Sequence, residues 1–281
     1  MPMLKFEIRI LSPALGAEIN GLDLREDLDI ETVEALRVAW LEHLMLLFRD
    51  QELSEADEVR VASYFGKPFT SERVPGLGER EERNAHIVAI TNIRENGEPI
   101  GVLPDGDLQF HSDSAFHENP LMATVLYAIE LPSHGGNTLF NNMYQVYDSL
   151  DASEKEKLER YQAVNVYDYH TQVRIGRYDR NKSVHAIHPV IRTHPETGRK
   201  AVYVNRLMTE EIVGLPETMS DSLLGDLFDL AEREEFIYEH VWRTGDLVIW
   251  DNRCAQHARK DFPAEQTRLL NRVGIAGDRP F

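Results

Sequence analysis

The sequence is poor in several features that would each restrict its class. It has one cysteine, Cys254, so no disulfide can form within the chain and nothing ties the fold to an oxidising compartment. No apolar run approaches the ~18 residues that a membrane-spanning helix requires. The first residues also lack the basic start and apolar stretch of a secretory signal. We therefore expect a cytoplasmic protein without a transmembrane segment.

Positive charge is scarce as well. Lys and Arg total 30 against 48 Asp and Glu, which gives a formal net charge of −18 at pH 7. A chain this acidic is repelled by phosphate backbones and by anionic lipid, so neither nucleic acid nor a membrane surface is expected as a partner. A small anionic ligand would need a locally basic pocket, which makes arginines within apolar segments informative.

The N-terminal part, about 28–66, carries the clearest helical pattern. Hydrophobic residues are 42% and charged residues 28% of the 281 residues, as in ordinary folded domains. Apolar residues recur at helical spacing over 30–48, and Ser54 with an acidic first turn predicts the N-terminus of a second helix. The stretch 45–48 fits a short buried strand equally well.

From about residue 83 the pattern changes to short β-rich runs separated by Gly, Pro and Asn clusters. Two further helices are predicted, over 153–164 and 221–233. We expect a single mainly β domain over 1–281 with flanking helices, an antiparallel sandwich or jelly roll (double-stranded β-helix). The polar segment 167–182 predicts a long loop and a candidate lid. The predicted strands are 86–91, 123–130, 137–140, 184–192, 200–205, 236–242, 246–250 and 269–276.

One His-X-Asp triplet, His111-Ser112-Asp113, predicts a metal site. Residues i and i+2 of a strand face the same side, so both side chains could bind one ion. They would supply two of the three ligands of the two-His-one-carboxylate set used by non-haem Fe(II). The alternative is a surface histidine beside a turn-capping aspartate. The His-Pro-Glu triplet at 194–196 has a similar pattern, but its proline interrupts strand alternation, so we do not expect a metal there.

Three residues further along the chain strengthen the prediction. His257 follows the predicted strand 246–250, and Arg268 and Arg272 lie 11 and 15 residues after it in an apolar run. Because the two arginines are four residues apart, both would face the same side of a strand. Two guanidinium groups are costly to bury without anions. The pattern predicts either a buried anion site or, as the alternative, an edge strand with both arginines in solvent.

Several motifs in a fixed order resemble the taurine/2,4-dichlorophenoxyacetate dioxygenase family of Fe(II)- and 2-oxoglutarate-dependent oxygenases, over nearly the whole chain. The resemblance implies that His111, Asp113 and His257 are the metal ligands. It also implies that Thr138 and Arg268 hold the distal carboxylate of 2-oxoglutarate, whose keto acid end chelates the iron. The motifs are Phe110-His-Ser-Asp-Ser114, Gly135-Gly-Asn-Thr138, His188-Pro-Val-Ile-Arg192, and Trp250-Asp-Asn-Arg253 followed by His257 and Arg268.

The resemblance extends to the pocket around these residues. It implies that Trp250 packs near the cofactor and that Arg272 grips the anionic group of the substrate. Asp107, a further candidate for substrate binding, stands where taurine-cleaving members have Asn, which weakens the expectation of taurine specificity.

The activity implied is that of an enzyme using Fe(II), 2-oxoglutarate and O2 to hydroxylate a small anionic organic substrate. Sulfonates, aryloxyalkanoates, sulfate esters and similar carboxylates are the candidates, with C–O or C–S cleavage where the attacked carbon carries such a group. One alternative is desaturation or another oxidative rearrangement of an amino-acid-like substrate at the same site. Another is a non-catalytic binding protein on a jelly-roll scaffold. The resemblance also suggests a homodimer or tetramer.

Overall fold

The structure is a computed structural model that describes residues 5–70, 84–103, 106–167 and 183–281. Strands predominate over helices in these ranges, which confirms the prediction of a mainly β chain. In chain order the elements are β1 (Glu7–Ile10), β2 (Ala17–Asn20), α1 (Ile30–His43), β3 (Met45–Phe48), α2 (Glu55–Phe65), β4 (Ile87–Thr91), β5 (Arg94–Glu95), β6 (Glu98–Pro99), β7 (Leu108–His111), β8 (Leu121–Glu130), β9 (Thr138–Asn142), α3 (Met143–Ser149), α4 (Ala152–Leu158), β10 (Gln162–Val166), β11 (His185–Pro189), β12 (Ile191–Thr193), β13 (Lys200–Val202), β14 (Thr209–Ile212), α5 (Glu217–Ala231), β15 (Ile237–His240), β16 (Leu247–Asp251), β17 (Ala255–Arg259) and β18 (Leu269–Ala276).

Two sheets position the site described below. The larger joins seven strands in the order β1-β2-β3-β16-β8-β18-β4, and the smaller joins four in the order β15-β9-β17-β7. β2 and β3 pair in parallel, whereas β16, β8 and β18 at the centre of the larger sheet pair antiparallel. Most neighbours in both sheets are distant in sequence, so the sheets bring together residues from opposite ends of the chain.

The larger sheet separates two hydrophobic cores, because side chains alternate between its faces. Val125 of β8 belongs to the core on one face, which α1 covers with Trp40. Leu126, the next residue, belongs to the core on the other face, together with Trp250 of β16 and Phe140 of the smaller sheet. The second core therefore lies between the two sheets.

The first predicted helix ends earlier than its apolar pattern. α1 ends at His43, and Leu44 takes a left-handed φ of 64° while its N–H donates to the Trp40 carbonyl. Met45–Phe48 forms β3, paired with β16, so the strand alternative applies at 45–48. The predicted start of the second helix agrees with the structure, since Ser54 and Asp57 form a capping box at the N-terminus of α2.

The helix predicted over 153–164 is too long. α4 ends at Leu158, and β10 begins at Gln162 as the central strand between β11 and β14. Backbone pairing of β10 with a strand on each side outweighs the weak helical pattern of this segment. The predicted loop at 167–182 lies outside the described residues except for Tyr167. Among the described helices, none combines the length and apolarity needed to cross a membrane.

α2 buries a carboxyl group against β18. Glu58 is 1% exposed, and its Oε1 accepts a hydrogen bond from Asn271 Nδ2 at 2.9 Å. Within the described ranges its Oε2 has no hydrogen-bond partner. Burial raises the pKa of Glu58 to about 7, against the opposing effect of the Asn271 hydrogen bond. The folded chain therefore holds a proton here that the unfolded chain releases at a lower pH.

Replacing Glu58 with Gln should stabilise the protein at pH 8 and change its stability little at pH 4. Because the folded pKa lies above the ordinary value, the stability contribution of Glu58 is complete below about pH 4.5 and is lost as pH rises through about 7. Glutamine cannot ionise and keeps a carbonyl acceptor for Asn271. Urea unfolding at both pH values measures the effect, with exposed Glu55→Gln as the control. Equal stabilities of wild type and Glu58→Gln at pH 8 would contradict the raised pKa of the buried Glu58 carboxyl group.

Candidate active site

The smaller sheet brings two histidines and one aspartate to a single place. β7 and β17 pair so that His111 lies directly opposite His257, and the two ring centroids are 4.1 Å apart. Asp113 completes the group, because one potential ligand atom from each of the three residues lies within 4.8 Å of the others. All three side chains are buried. Two imidazoles and one carboxylate at this spacing match the ligand set of a non-haem iron site.

Asp113 reaches this place from a turn and not from a strand. β7 ends at His111, and Ser114 takes a left-handed φ of 60°. The expected strand alternation over 111–113 is therefore wrong, because the strand ends two residues before Asp113. The turn nevertheless places Asp113 Oδ1 3.9 Å from His111 Nε2.

Burial and neighbouring charges set the protonation of the group. Burial raises the pKa of Asp113, but His257, Arg272 and His111 outweigh it and lower that pKa to about 2. Burial and the neighbouring His111 lower the pKa of His257 to about 3, and burial also lowers the pKa of His111. Neutral imidazoles beside an ionised carboxylate are the forms that bind a divalent metal ion.

Each imidazole is oriented by its surroundings. His111 Nδ1 lies 2.9 Å from the Gln109 carbonyl oxygen, and since a carbonyl only accepts, Nδ1 carries the proton and Nε2 is left as a ligand. The His257 ring packs 4.6 Å from the Trp250 ring and 6.3 Å from the Phe140 ring. The fully buried Trp250 thus lies beside a candidate ligand, in the neighbourhood where the sequence places it.

Arg268 puts a guanidinium in the interior. It is 1% exposed, and among the residues that the structure describes its Nε and Nη1 atoms have no hydrogen-bond partner, whereas Nη2 donates to the Gly136 carbonyl at 3.3 Å. Burial and the nearby charge of Arg259 lower the pKa of Arg268 to about 9. Gly136 has a φ of 66°, and a Cβ there would lie 3.1 Å from Arg268 Nε. A buried cation with two unpaired nitrogens fits a site for an anion.

Thr138 lies on the same sheet face as His257. In the β9–β17 ladder Thr138 is opposite Arg259 and Phe140 is opposite His257, so alternation turns all four side chains to one side. The buried Thr138 hydroxyl accepts a hydrogen bond from the Trp242 indole N–H at 3.0 Å. Because an indole only donates, the hydroxyl proton points elsewhere. Trp242 carries no signal in the sequence that would have identified it.

Arg272 lies beside the candidate ligands but is more accessible than Arg268. Its Nη1 is 3.6 Å from Asp113 Oδ1, and its side chain is 31% exposed. β18 pairs with both β8 and β4, so the edge-strand alternative is wrong. Arg268 precedes β18, and the register shifts between Leu269 and Leu270, so simple alternation does not relate the two arginines.

Asp107 differs from the other candidate residues in its exposure to solvent. Its side chain is exposed, and its Oδ1 accepts the Asp261 backbone N–H at 2.7 Å, just before β7 begins. Its part in substrate binding stays a prediction.

A second buried group, His194, Asp251 and Cys254, has ligand-like spacing but is already saturated. Asp251 accepts from Arg253 Nε at 2.8 Å and Nη2 at 2.7 Å, and from His194 Nε2 at 3.0 Å. His194 Nδ1 accepts two backbone N–H groups of the following turn, at 3.2 and 3.1 Å. Burial raises the pKa of the Cys254 thiol. We interpret this group as a structural network.

Comparison with known proteins places the chain in a family. The family described as "Taurine catabolism dioxygenase TauD, TfdA family" matches residues 7–273. An (S)-phenoxypropionate/alpha-ketoglutarate-dioxygenase from Sphingobium herbicidovorans is 32% identical over 97% of this chain and 96% of its own. A taurine dioxygenase structure from Burkholderia xenovorans superposes with a TM-score of 0.82 at 28% identity, covering 98% of this chain and 92% of that one. The structure of AAD-2 in complex with Mn(II) and N-oxalylglycine gives 0.80 at 26% identity, covering 99% of each. The chain belongs to the TauD/TfdA dioxygenase family.

Proposed function

We propose that this protein is an Fe(II)- and 2-oxoglutarate-dependent dioxygenase that hydroxylates a small anionic organic molecule. The observation that carries the proposal is the buried guanidinium of Arg268, two of whose nitrogens have no hydrogen-bond partner in the described part of the chain, together with a buried His–Asp–His ligand set. Such a guanidinium is expensive to maintain unless the protein binds an anion next to it. 2-Oxoglutarate is an anion that also chelates a metal ion.

The residues present fit the metal ion. His111, Asp113 and His257 offer two neutral nitrogens and one carboxylate oxygen, a donor set that suits Fe(II) and leaves coordination positions for other ligands. Relatives support the same cofactors, since one is named an alpha-ketoglutarate-dioxygenase and another was solved with Mn(II) and N-oxalylglycine, an amide analogue of 2-oxoglutarate.

The residues present also fit the cosubstrate. Arg268 offers a planar fork that binds a carboxylate through two parallel hydrogen bonds. Thr138 adds a hydroxyl donor, because its oxygen already accepts from Trp242. Both side chains are buried, so their hydrogen bonds to the distal carboxylate would not compete with water.

Substrate recognition is assigned to Arg272. The bound metal, together with 2-oxoglutarate and O2, supplies the oxidising power for C–H hydroxylation. Arg272 is partly exposed and lies 3.6 Å from Asp113, so it can bind the anionic end of a substrate arriving from solvent and hold the rest beside the metal ligands. Burial of the ligand side chains excludes water from the reacting groups. A product hydroxylated at a carbon that bears ether oxygen, sulfonate or sulfate ester would break down with C–O or C–S cleavage.

We further infer that the two facing sheets form a double-stranded β-helix within a single domain over 1–281. The support is the core shared by the two sheets, into which the candidate ligands and Trp250 project. The family resemblance also supports a homodimer or tetramer, which light scattering on the purified chain would test.

Succinate release tests the activity and its substrate class. A panel of sulfonates, aryloxyalkanoates, sulfate esters and amino acids should identify at least one anion that stimulates succinate formation. Arg272→Ala should then raise the KM for that anion about 10–100-fold, because a hydrogen bond to a charged group contributes about 1.5–3 kcal/mol. Arg279→Ala, at an arginine that is mostly exposed, is the control.

Two results would count against the proposal. If no member of the panel stimulates succinate release above the substrate-free rate, the substrate class is wrong. If Arg272→Ala leaves kcat/KM unchanged for every accepted anion, Arg272 does not bind the substrate. The Mn(II) affinity of Arg272→Ala should be measured alongside, because Arg272 also lies close to Asp113.

A further inference from the structure

A line of hydrogen bonds connects Trp250 with Asp113 through two buried polar side chains. Trp250 Nε1 donates to Asn252 Oδ1 at 2.8 Å, and Asn252 Nδ2 donates to Thr124 Oγ1 at 2.9 Å. Thr124 Oγ1 in turn donates to Asp113 Oδ2 at 2.5 Å. All four residues are buried, so water cannot replace a partner that is lost.

The indole at one end determines the direction of every bond. An indole N–H only donates, so Asn252 must turn its carbonyl oxygen toward Trp250 and its amide N–H toward Thr124. The Thr124 oxygen therefore accepts, and its single proton is left for Asp113. An ionised carboxylate only accepts, so the line is satisfied in one arrangement and not in the reverse one.

The line engages one carboxylate oxygen and leaves the other near His111 and Arg272. Asp113 Oδ2 accepts from Thr124, whereas Oδ1 lies 3.9 Å from His111 Nε2 and 3.6 Å from Arg272 Nη1. A charge-assisted hydrogen bond of this kind is roughly twice as strong as one between neutral groups. Rotating the carboxylate would break it within the protein interior.

These hydrogen bonds also connect the turn after β7 to the centre of the larger sheet. Thr124 of β8 lies directly opposite Trp250 of β16, so both are held by the ladder of the larger sheet. Asp113 belongs to the turn after β7, which the ladder of the smaller sheet does not hold. The Ser112 hydroxyl adds a second link by donating to the Asn252 carbonyl oxygen at 2.9 Å.

We propose that Thr124 and Asn252 are positioning residues that hold Asp113 so that it presents only Oδ1 to the metal ion. The inference rests on the proposed function, which makes Asp113 a ligand. A carboxylate that binds through one oxygen leaves a coordination position that two-oxygen binding would occupy. Trp250 then does more than pack near the cofactor, since its N–H sets the direction of the line.

The first test compares Thr124→Val with Thr124→Ser. Valine has nearly the shape of threonine but no hydroxyl, whereas serine keeps the donor. We expect Thr124→Val to weaken Mn(II) binding about 10–100-fold, as is common when a partner of a metal ligand is removed, and Thr124→Ser to stay near wild type. Anaerobic calorimetry with Mn(II) gives the dissociation constants without any turnover.

A second test reverses the direction of the hydrogen bond between Asn252 and Thr124. In Asn252→Asp a carboxylate replaces the amide donor, so Thr124 turns its proton away from Asp113. We expect a loss of Mn(II) affinity similar to that of Thr124→Val. The double variant should lose little more than either single one, because both changes break the same connection. The visible band that Fe(II) and 2-oxoglutarate produce anaerobically should weaken in the same variants.

The outcomes separate the two proposals. Equal Mn(II) affinity of wild type, Thr124→Val and Asn252→Asp would overturn the positioning role. Equal losses in Thr124→Val and Thr124→Ser would also overturn it, because the hydroxyl would then not be the group that matters. A wild-type protein that binds neither Mn(II) nor 2-oxoglutarate would refute the proposed function itself. Thermal unfolding of each variant without metal confirms that it is folded.

Discussion

Asp113→Ala should lower succinate formation at least about a thousandfold and remove most of the Mn(II) affinity. Asp113 supplies the anionic member of the ligand set, and its pKa of about 2 keeps it ionised throughout the assay range. A metal ion contributes several kcal/mol to such reactions, and each 1.4 kcal/mol corresponds to a tenfold change in rate. Succinate assays and anaerobic Mn(II) calorimetry measure the two effects.

Asp148→Ala provides a control, because it removes a carboxylate that is largely exposed. It should leave Mn(II) binding and succinate formation at the wild-type level. Retention of wild-type Mn(II) affinity by Asp113→Ala would show that the three residues do not share an ion. A metal site elsewhere in the chain would then have to explain any activity.

Arg268→Met should raise the 2-oxoglutarate requirement by two to three orders of magnitude without lowering the stability of the ligand-free protein. Breaking a buried ion pair from one side costs about 3–5 kcal/mol, which accounts for the loss of cosubstrate binding. The ligand-free protein, however, carries a buried guanidinium whose Nε and Nη1 find no partner in the part of the chain that the structure describes. A hydrophobic side chain of similar length removes that cost. Calorimetry with 2-oxoglutarate and thermal unfolding without it measure the two parts.

The two parts of this prediction separate a ligand-binding arginine from a structural one. 2-Oxoglutarate should raise the wild-type unfolding temperature by mass action and should leave that of Arg268→Met unchanged. Arg160→Met, at an exposed arginine, should behave like wild type. An unchanged 2-oxoglutarate affinity in Arg268→Met would remove the cosubstrate assignment. A large loss of ligand-free stability would indicate that the guanidinium serves the fold instead.

The candidate ligands could be chosen from the sequence, but the strands and the turn that bring them together could not be predicted. Residue type and spacing identify His111, Asp113 and His257, and the family assignment that the same motifs support is confirmed over residues 7–273. The strand geometry expected for the triplet is wrong, because β7 ends at His111. β7 and β17 have only four and five residues and are partly polar, so their patterns are too short to mark them as strands. Only their pairing shows that the two histidines are opposite each other.

The residues around the ligands were harder to find. Asn252 lies inside the Trp-Asp-Asn-Arg motif, so its presence was visible but its role was not. Thr124 is one β-branched residue within a hydrophobic strand, and such residues are common in strands for reasons of packing alone. Their importance depends on hydrogen bonds between distant segments, which a one-dimensional pattern does not encode.

The helices show the same difference between features set by local sequence and features set by distant segments. The capping box at Ser54 is local, and α2 begins where the sequence predicts. The end of α1 and the end of α4 are decided by the strands that follow, β3 and β10, each of which pairs with distant partners. Apolar residues next to a helix fit either structure until a neighbouring strand is available.

By itself, the sequence determined the mainly β composition, the family, the ligand types and the arginines available for anions, since these follow from residue type, order and local spacing. The tertiary structure decided that Arg268 is buried with two guanidinium nitrogens that lack a partner among the described residues, that Arg272 is partly exposed, and which oxygen of Asp113 lies near His111. Burial and hydrogen-bond direction depend on segments that meet only when the sheets form, because side chains from distant strands supply both the partners and the exclusion of water.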